Sequence, residues 1–228
     1  MVIAKRARSN EQKDERREEI LVAAAALLKE RPFHRISTAD VAHLAGMAKG
    51  TVFLYFRTKE EIFFQILTRE FESWFETMDN LFADLCRPGK KPVQDDIPNV
   101  LRRVLALHPL FPQLSAILHI VLEQNIGYKE ARAFKKMVKE RLDRSGALLE
   151  DCLPYLEPGQ GVTLLLWMYA LIIGFTHMAV PAPVVRKIYQ REPDLQHMQI
   201  DFSDQFLEAL NAILDGWKAR NVRRRRTA

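Results

Sequence analysis

The chain has 228 residues, 48% of them hydrophobic and 28% charged, which is the profile of a globular protein and excludes a disordered chain. The formal net charge of +5 is unevenly spread: residues 1–60 carry +4, the stretch from Lys218 onward +6, and the middle −5. Two basic ends around an acidic body suggest that the ends meet a polyanion. The two cysteines, Cys86 and Cys152, lie far apart without CxxC spacing, which argues against a disulfide or a zinc site and for a reducing cytoplasm. The charged first twenty residues lack the apolar run of a signal peptide.

Residues 1–13 are polar and basic and read as a mobile arm. From Asp14 the pattern is helical, with Ile20, Ala23, Ala24, Leu27 and Leu28 recurring on one face until Pro32 ends the run. A short second helix is expected from Ser37, because Ser37 and Asp40 fit the S-x-x-D capping pattern ahead of Val41, Ala42, Leu44 and Ala45. Gly46 interrupts it as a left-handed turn residue would. Helical character resumes from Ala48 to Phe56. It restarts at Thr58, an N-cap for a fourth helix carrying Ile62, Phe63, Ile66, Leu67, Phe71, Trp74 and Phe75 to Leu85.

The Pro-rich, charged segment Arg87–Pro98 reads as a loop between domains. Beyond it the pattern gives helices over 99–107, 112–125, 129–152, 160–179 and 201–219, parted by Pro109, Gly127, Pro154 with Pro158, and Pro181 with Pro183. The Arg223–Arg226 run reads as a disordered tail. Everything points to an all-α protein.

From Val162 to Val180 there are 19 residues without a formal charge, long enough to span a bilayer. Gly174, Thr176 and His177 interrupt that run, and no basic cluster flanks it closely. A helix apolar all round is also what a bundle centre or a helix covered by a dimer partner looks like, and this reading, with no membrane, is preferred.

The segment Ser37–Phe56 has the parts of a helix-turn-helix: a short positioning helix, a tight turn, and a second helix with a free outer face. Val41, Ala42 and Ala45 supply the apolar face of the first helix. Val52 and Phe56 supply that of the second, with Met47 over the turn. That leaves Lys49, Gly50 and Thr51 outward, at the end of the helix that favours phosphate. Glycine in a helix costs about 1 kcal/mol against alanine, so Gly50 suggests close approach to a ligand such as DNA. Tyr55 and Lys59 offer a hydroxyl and an ammonium suited to phosphates.

Taken together, S-T-A-D-V-A-H-L-A-G, M-A-K-G-T-V-F-L-Y-F and R-T-K-E-E-I, with the helix before them, resemble the N-terminal domain of the tetracycline-repressor (TetR) family of transcriptional regulators. The resemblance covers residues 14–66. It implies a three-helix DNA-binding head (residues 1–58), then a connecting helix and a larger helical ligand-binding and dimerisation domain (59–228). Carried over by position, Ser37 and Thr38 would touch phosphate, Lys49, Gly50 and Thr51 would face the groove, and Tyr55 and Lys59 would hold phosphate. Phe53 and Leu54 depart from the residues many members use to reach DNA, and are read as packing residues.

The acidic body contains Phe111, His119, Glu123, Trp167, Phe175, His177 and Met178, which could line a site for a small, largely hydrophobic effector with a few polar anchors. His119 and Glu123 share a helix face, but two donors make a weak metal site, and no metal or cofactor is expected. No Gly-rich phosphate loop and no G-x-S-x-G element is present, so no enzyme is expected. The expectation is a cytoplasmic, ligand-responsive repressor that binds a double-stranded palindromic operator as a homodimer built on the 160–179 and 201–219 helices. The alternative is a helical partner-binding or membrane-associated adaptor with basic ends.

Overall fold

The computed structural model describes residues 2–87, 89 and 96–227, and no β-strand occurs among them. The described residues form ten α-helices: α1 (Val2–Glu30), α2 (Thr38–Leu44), α3 (Lys49–Phe53), α4 (Lys59–Leu85), α5 (Asp96–Leu107), α6 (Leu110–Ile117), α7 (Tyr128–Cys152), α8 (Gln160–Ala179), α9 (Pro183–Arg191) and α10 (Phe202–Thr227). They are distributed over two compact units. One takes the chain up to Glu70 together with Ile117–Arg132, the other Phe71–Ala116 and Ala133 onward.

The first unit is built on the apolar face of α1, where Ile20 and Ala24 are fully buried and Leu27 and Leu28 nearly so. Against it lie Val41 and Ala42 of α2, Val52 of α3, Phe56, and Ile62, Phe63 and Leu67 of α4, all buried. Each large aliphatic or aromatic side chain so covered contributes about 1.5–3 kcal/mol. Arg17 ties the pieces together. Its Nε donates to Gln65 Oε1 at 2.9 Å, and its guanidinium lies 4.4 Å from the Phe56 ring centroid. In Ile117–Arg132 a π-helical turn at Leu118–Leu122 and a 3-10 turn at Glu123–Asn125 stand where the periodicity suggested continuous helix.

The second unit centres on an aromatic cluster. Trp74 of α4 stacks on Phe111 of α6 with ring centroids 4.7 Å apart and an interplanar angle of 6°. Phe71 meets Phe111 at 4.9 Å, Phe134 of α7 at 5.3 Å and Tyr169 of α8 at 5.8 Å. Helices α7 and α8 cross at a glycine pair. A Cβ on Gly161 would strike the carbonyl oxygen of Gly146, and one on Gly146 would lie 2.8 Å from Val162 N. Beside this core Asp79 is buried, accepting a hydrogen bond from Ser145 Oγ and pairing with Arg144 Nε at 3.1 Å. Burial holds its carboxyl above the usual aspartate range, against the pull of Ser145 and Arg144.

Several expectations are corrected. Helix α1 begins at Val2 rather than Asp14, so residues 2–13 are helix and not an arm. Helix α10 runs to Thr227, which makes the arginine run its last turns rather than a disordered tail. Pro183 starts a helix that the sequence pattern does not announce. It occupies the first turn of α9, where a proline's missing N–H costs nothing. Most of the Arg87–Pro98 loop lies outside the described residues, while Pro98 itself belongs to the first turn of α5.

Cys86 and Cys152 are joined in a disulfide, against expectation. They follow or end α4 and α7, whose packing brings their Cα atoms within 5.4 Å across a sequence separation of 66. Spacing along the chain carries no trace of such a pairing. In the chain-entropy account, closing a loop of that length is worth about 4 kcal/mol. One described helix, α8, is long and apolar enough to cross a membrane, with a mean hydropathy of 1.7 and 28% of its apolar window buried.

Candidate nucleic-acid interface

The positioning helix begins with a complete capping box. Ser37 Oγ accepts from Asp40 N at 3.2 Å, and Asp40 Oδ2 accepts from Ser37 N at 2.8 Å and from Ser37 Oγ at 2.7 Å. These bonds from Ser37 hold the Asp40 carboxyl below its ordinary pKa. Asp40 also pairs with Arg31 Nη2 at 3.2 Å, linking the end of α1 to the start of α2. The N-cap is thus fixed from both sides, with Ser37 exposed and Thr38 half-buried beside it.

At its other end α2 closes in a Schellman turn. Met47 N donates to Ala42 O at 2.9 Å and Gly46 N to His43 O at 3.1 Å, with Gly46 at φ +66°. Any Cβ at that φ is strained, which is why a glycine stands there. This turn sets the angle at which α3 leaves. Val52 at 0% exposure and Phe56 at 3% pin the inner side of the α3 segment to the core.

The outer side is open. Lys49 and Gly50 are exposed and Thr51 is half-buried. Lys49 Nζ lies 5.8 Å from the Phe53 ring centroid, four residues on along the same face. A Cβ on Gly50 would meet nothing within 4 Å, so no packing inside the protein requires a glycine at that place. Tyr55 is half-buried, and its carbonyl accepts from Arg17 Nη1 at 3.5 Å. Phe53 and Leu54 do not pack as expected: they stand 46% and 77% exposed. The five-residue helix has too little inner surface to bury them once Val52 and Phe56 have filled it.

Lys59 is more constrained than its sequence position suggests. Its ammonium donates to Ile36 O at 2.9 Å and Phe33 O at 3.2 Å, and sits 4.2 Å from the Phe33 ring centroid. It fastens α4 to the turn before α2 and keeps one of its three donors, with its full charge, at the Ser37 end. Helix α4 starts as expected at Thr58, whose Oγ1 accepts from Glu61 N at 3.1 Å, while Glu61 Oε2 accepts from Arg57 N at 2.7 Å. Arg17, which positions Tyr55 and Phe56, is a site residue that the sequence pattern does not single out. Its partners lie 38 to 48 positions away, and no local pattern marks it.

The residues named for an effector scatter. Of the seven, only Phe111 is buried, against Trp74. His119 Nδ1 pairs with Glu123 Oε2 at 3.1 Å on an outward-facing turn. Trp167 and Met178 stand 42% and 56% exposed on α8, Phe175 is half-buried, and His177 Nε2 lies 3.1 Å from Ala116 O. No group of three or more metal-ligating side chains occurs among the described residues.

The family model described as "Bacterial regulatory proteins, tetR family" matches residues 20–66, and that described as "Tetracyclin repressor-like, C-terminal domain" matches residues 68–221. The HTH-type transcriptional regulator YfiR of Bacillus subtilis is 34% identical over 71 residues, 31% of this chain and 35% of that protein. The fatty acid metabolism regulator protein of the same organism is 31% identical over 61 residues, 27% of this chain and 31% of that protein. The chain thus spans about a third of the length of the curated relatives it matches. Among solved structures, NalD, the secondary repressor of the MexAB-OprM multidrug efflux pump in Pseudomonas aeruginosa, aligns over 90% of this chain and 96% of its own at 20% identity, with a TM-score of 0.44. With its larger part matched by the family's C-terminal domain and its head by the family's N-terminal one, the chain belongs to the TetR family, whose members are DNA-binding transcriptional regulators rather than enzymes.

Proposed function

We propose that the chain is a cytoplasmic, ligand-responsive repressor that binds a palindromic operator as a homodimer, each head seating α3 in a major groove. The observation that carries this reading is the asymmetry of the α3 segment. Its inner residues Val52 and Phe56 are locked in the core, while Lys49 and Gly50 are bare and the Gly50 backbone can be approached without obstruction. Lys49 and Thr51 then reach base edges. Phe53 and Leu54, exposed beside them, suit the methyl groups of thymines. Ser37, Thr38, Tyr55 and Lys59 hold flanking phosphates and set the register.

The larger unit supports the other two parts of the reading. In this unit Trp74 Nε1, within the aromatic cluster, and Ser115 Oγ and Thr176 Oγ1 are buried without a hydrogen-bond partner among the described residues. Buried polar groups of this kind are the anchors a small, largely hydrophobic effector would use. For dimerisation, α8 presents Leu166 at 49% and Trp167 at 42% exposure, and α10 presents the small residues Ala212, Gly216 and Ala219. Paired with their copies, α8 and α10 would form a four-helix seam.

Titration of labelled operator DNA tests the head. Lys49→Ala and Tyr55→Phe should each weaken binding without altering the fold. Unchanged affinity in both variants would falsify the placement of α3 in the groove.

A further inference from the structure

We propose that Cys86 and Cys152 form a reversible thiol–disulfide exchange site, opened and closed by small thiols and disulfides, whose state sets the affinity of the chain for its operator. The proposal rests on the reading of the chain as a cytoplasmic, operator-binding regulator. These are the two cysteines of the chain, and both take part in the one bond. A DNA-binding regulator works where thiol reductants keep cysteines reduced, and a disulfide that forms there is usually transient and redox-sensing rather than structural. The pair is unequal in the way that exchange requires. Cys86, one residue beyond the end of α4, is half-buried and presents surface to solvent, whereas Cys152 at the end of α7 is 1% exposed. Attack is thereby directed at Cys86 Sγ, with Cys152 as the leaving sulfur.

A site that opens must tolerate both of its states. Cys152 Sγ lies 3.7 Å from Phe82 O of α4, so the thiol formed on opening has an acceptor for its proton in place. The seam between α4 and α7 does not hang on the sulfurs either. Asp79 and Ser145 join the same two helices at the same separation of 66 residues, two turns before the cysteines, and Phe82 and Leu149 between the two ties are fully buried. Opening therefore releases the end of α4 while the packing before it holds. That helix begins in the unit of the DNA-binding head, where Lys59 is bonded to Ile36 O and Phe33 O, and it ends beside the sulfurs. A covalent tie at one end of such a helix biases the arrangements open to it, which is how the state of the sulfurs reaches the head. In the opening direction a small thiolate attacks Cys86 Sγ, the Cys86–Cys152 bond breaks, and Cys152 leaves as a thiolate that takes up a proton. A second small thiolate attacks the mixed disulfide at the sulfur of the first, and Cys86 leaves and is protonated in turn. Two thiols are oxidised to one small disulfide while the protein gains two electrons and two protons; closing is the reverse, with the small disulfide as oxidant.

Equilibration of the full chain in mixtures of reduced and oxidised glutathione tests the chemistry, with free thiols counted by alkylation and mass and with helicity followed by circular dichroism. Both thiols should appear together, return to the disulfide when the ratio is reversed, and leave helicity unchanged. A bond that survives excess reduced glutathione, or a chain that loses its helices once the bond opens, makes the disulfide a permanent staple and overturns the proposal. Fluorescence anisotropy reads the consequence on a labelled duplex that the parent chain has selected from random DNA. The oxidised and reduced chains should differ at least about tenfold in Kd, and saturating duplex should shift the midpoint of the glutathione titration by about 30 mV for each tenfold. Cys86→Ser/Cys152→Ser should bind with the Kd of the reduced parent at every glutathione ratio, and a double variant that still follows the ratio overturns the assignment to this pair. Equal Kd values for the two states of the parent overturn the switch and leave the operator reading standing. Failure of either state to select a duplex overturns the operator reading itself, and the control of operator affinity with it.

Discussion

Gly50 separates folding from function at the scale of a single residue. It is exposed, sits in the first turn of α3, and has no atom within 4 Å of where a Cβ would stand. Gly50→Ala should therefore leave stability unchanged or raise it by up to about 1 kcal/mol. The same methyl, placed between the backbone and DNA, should weaken operator binding about tenfold, the worth of one good base interaction. Thermal melting and fluorescence anisotropy at fixed salt read the two effects separately, and a variant as tight as the parent removes Gly50 from the interface. Gly50 and the Ser37–Asp40 cap are legible in the sequence because each depends on neighbours within four positions. Lys59 is legible as a cation, but its bonds to Ile36 O and Phe33 O arise from tertiary packing and leave no local signature. Phe53 and Leu54 mislead for the opposite reason. Apolar side chains are expected inside, and only the shortness of α3 shows that there is no inside left for them.

Among the elements, the boundaries set by prolines, glycines and capping residues are legible and those set by packing are not. Helix α8 runs over Gln160–Ala179 as its uncharged run suggests, and α7 over Tyr128–Cys152 within a residue of expectation. Pro183 shows the ambiguity of a breaker, since the residue that stops one helix pre-sets the backbone of the next. The π turn at Leu118–Leu122 has no sequence signal of its own and interrupts a pattern that reads as plain helix. The crossing of α7 on α8 is likewise invisible, because Gly146 and Gly161 gain their meaning only from each other. Gly161→Ala should cost about 1–3 kcal/mol, since backbone and not a mobile side chain stands in the way of its Cβ. A urea titration checks this, and a midpoint equal to the parent's would show that α8 shifts freely on α7.

Charge distribution is the first whole-molecule clue, and only part of it keeps its original meaning. The basic start of the chain belongs to the helix that carries the DNA-binding head. The basic end is the last stretch of α10, where Arg224 lies 3.8 Å from Glu157. The acidic middle includes Asp204, Glu208 and Asp215 of α10, all exposed. The disulfide between Cys86 and Cys152 is beyond reach of the sequence, since two cysteines 66 positions apart meet only because α4 and α7 do. Selection of binding sites from random duplex DNA by the full chain measures at once whether the head reads DNA and whether the body pairs two heads. The expected result is one enriched inverted repeat, bound by two protomers, with half-site centres about 34–36 Å apart or a multiple of that, and no enrichment by Lys49→Ala. Recovery of no preferred sequence at about 150 mM salt, or of a site without two-fold symmetry, would contradict it.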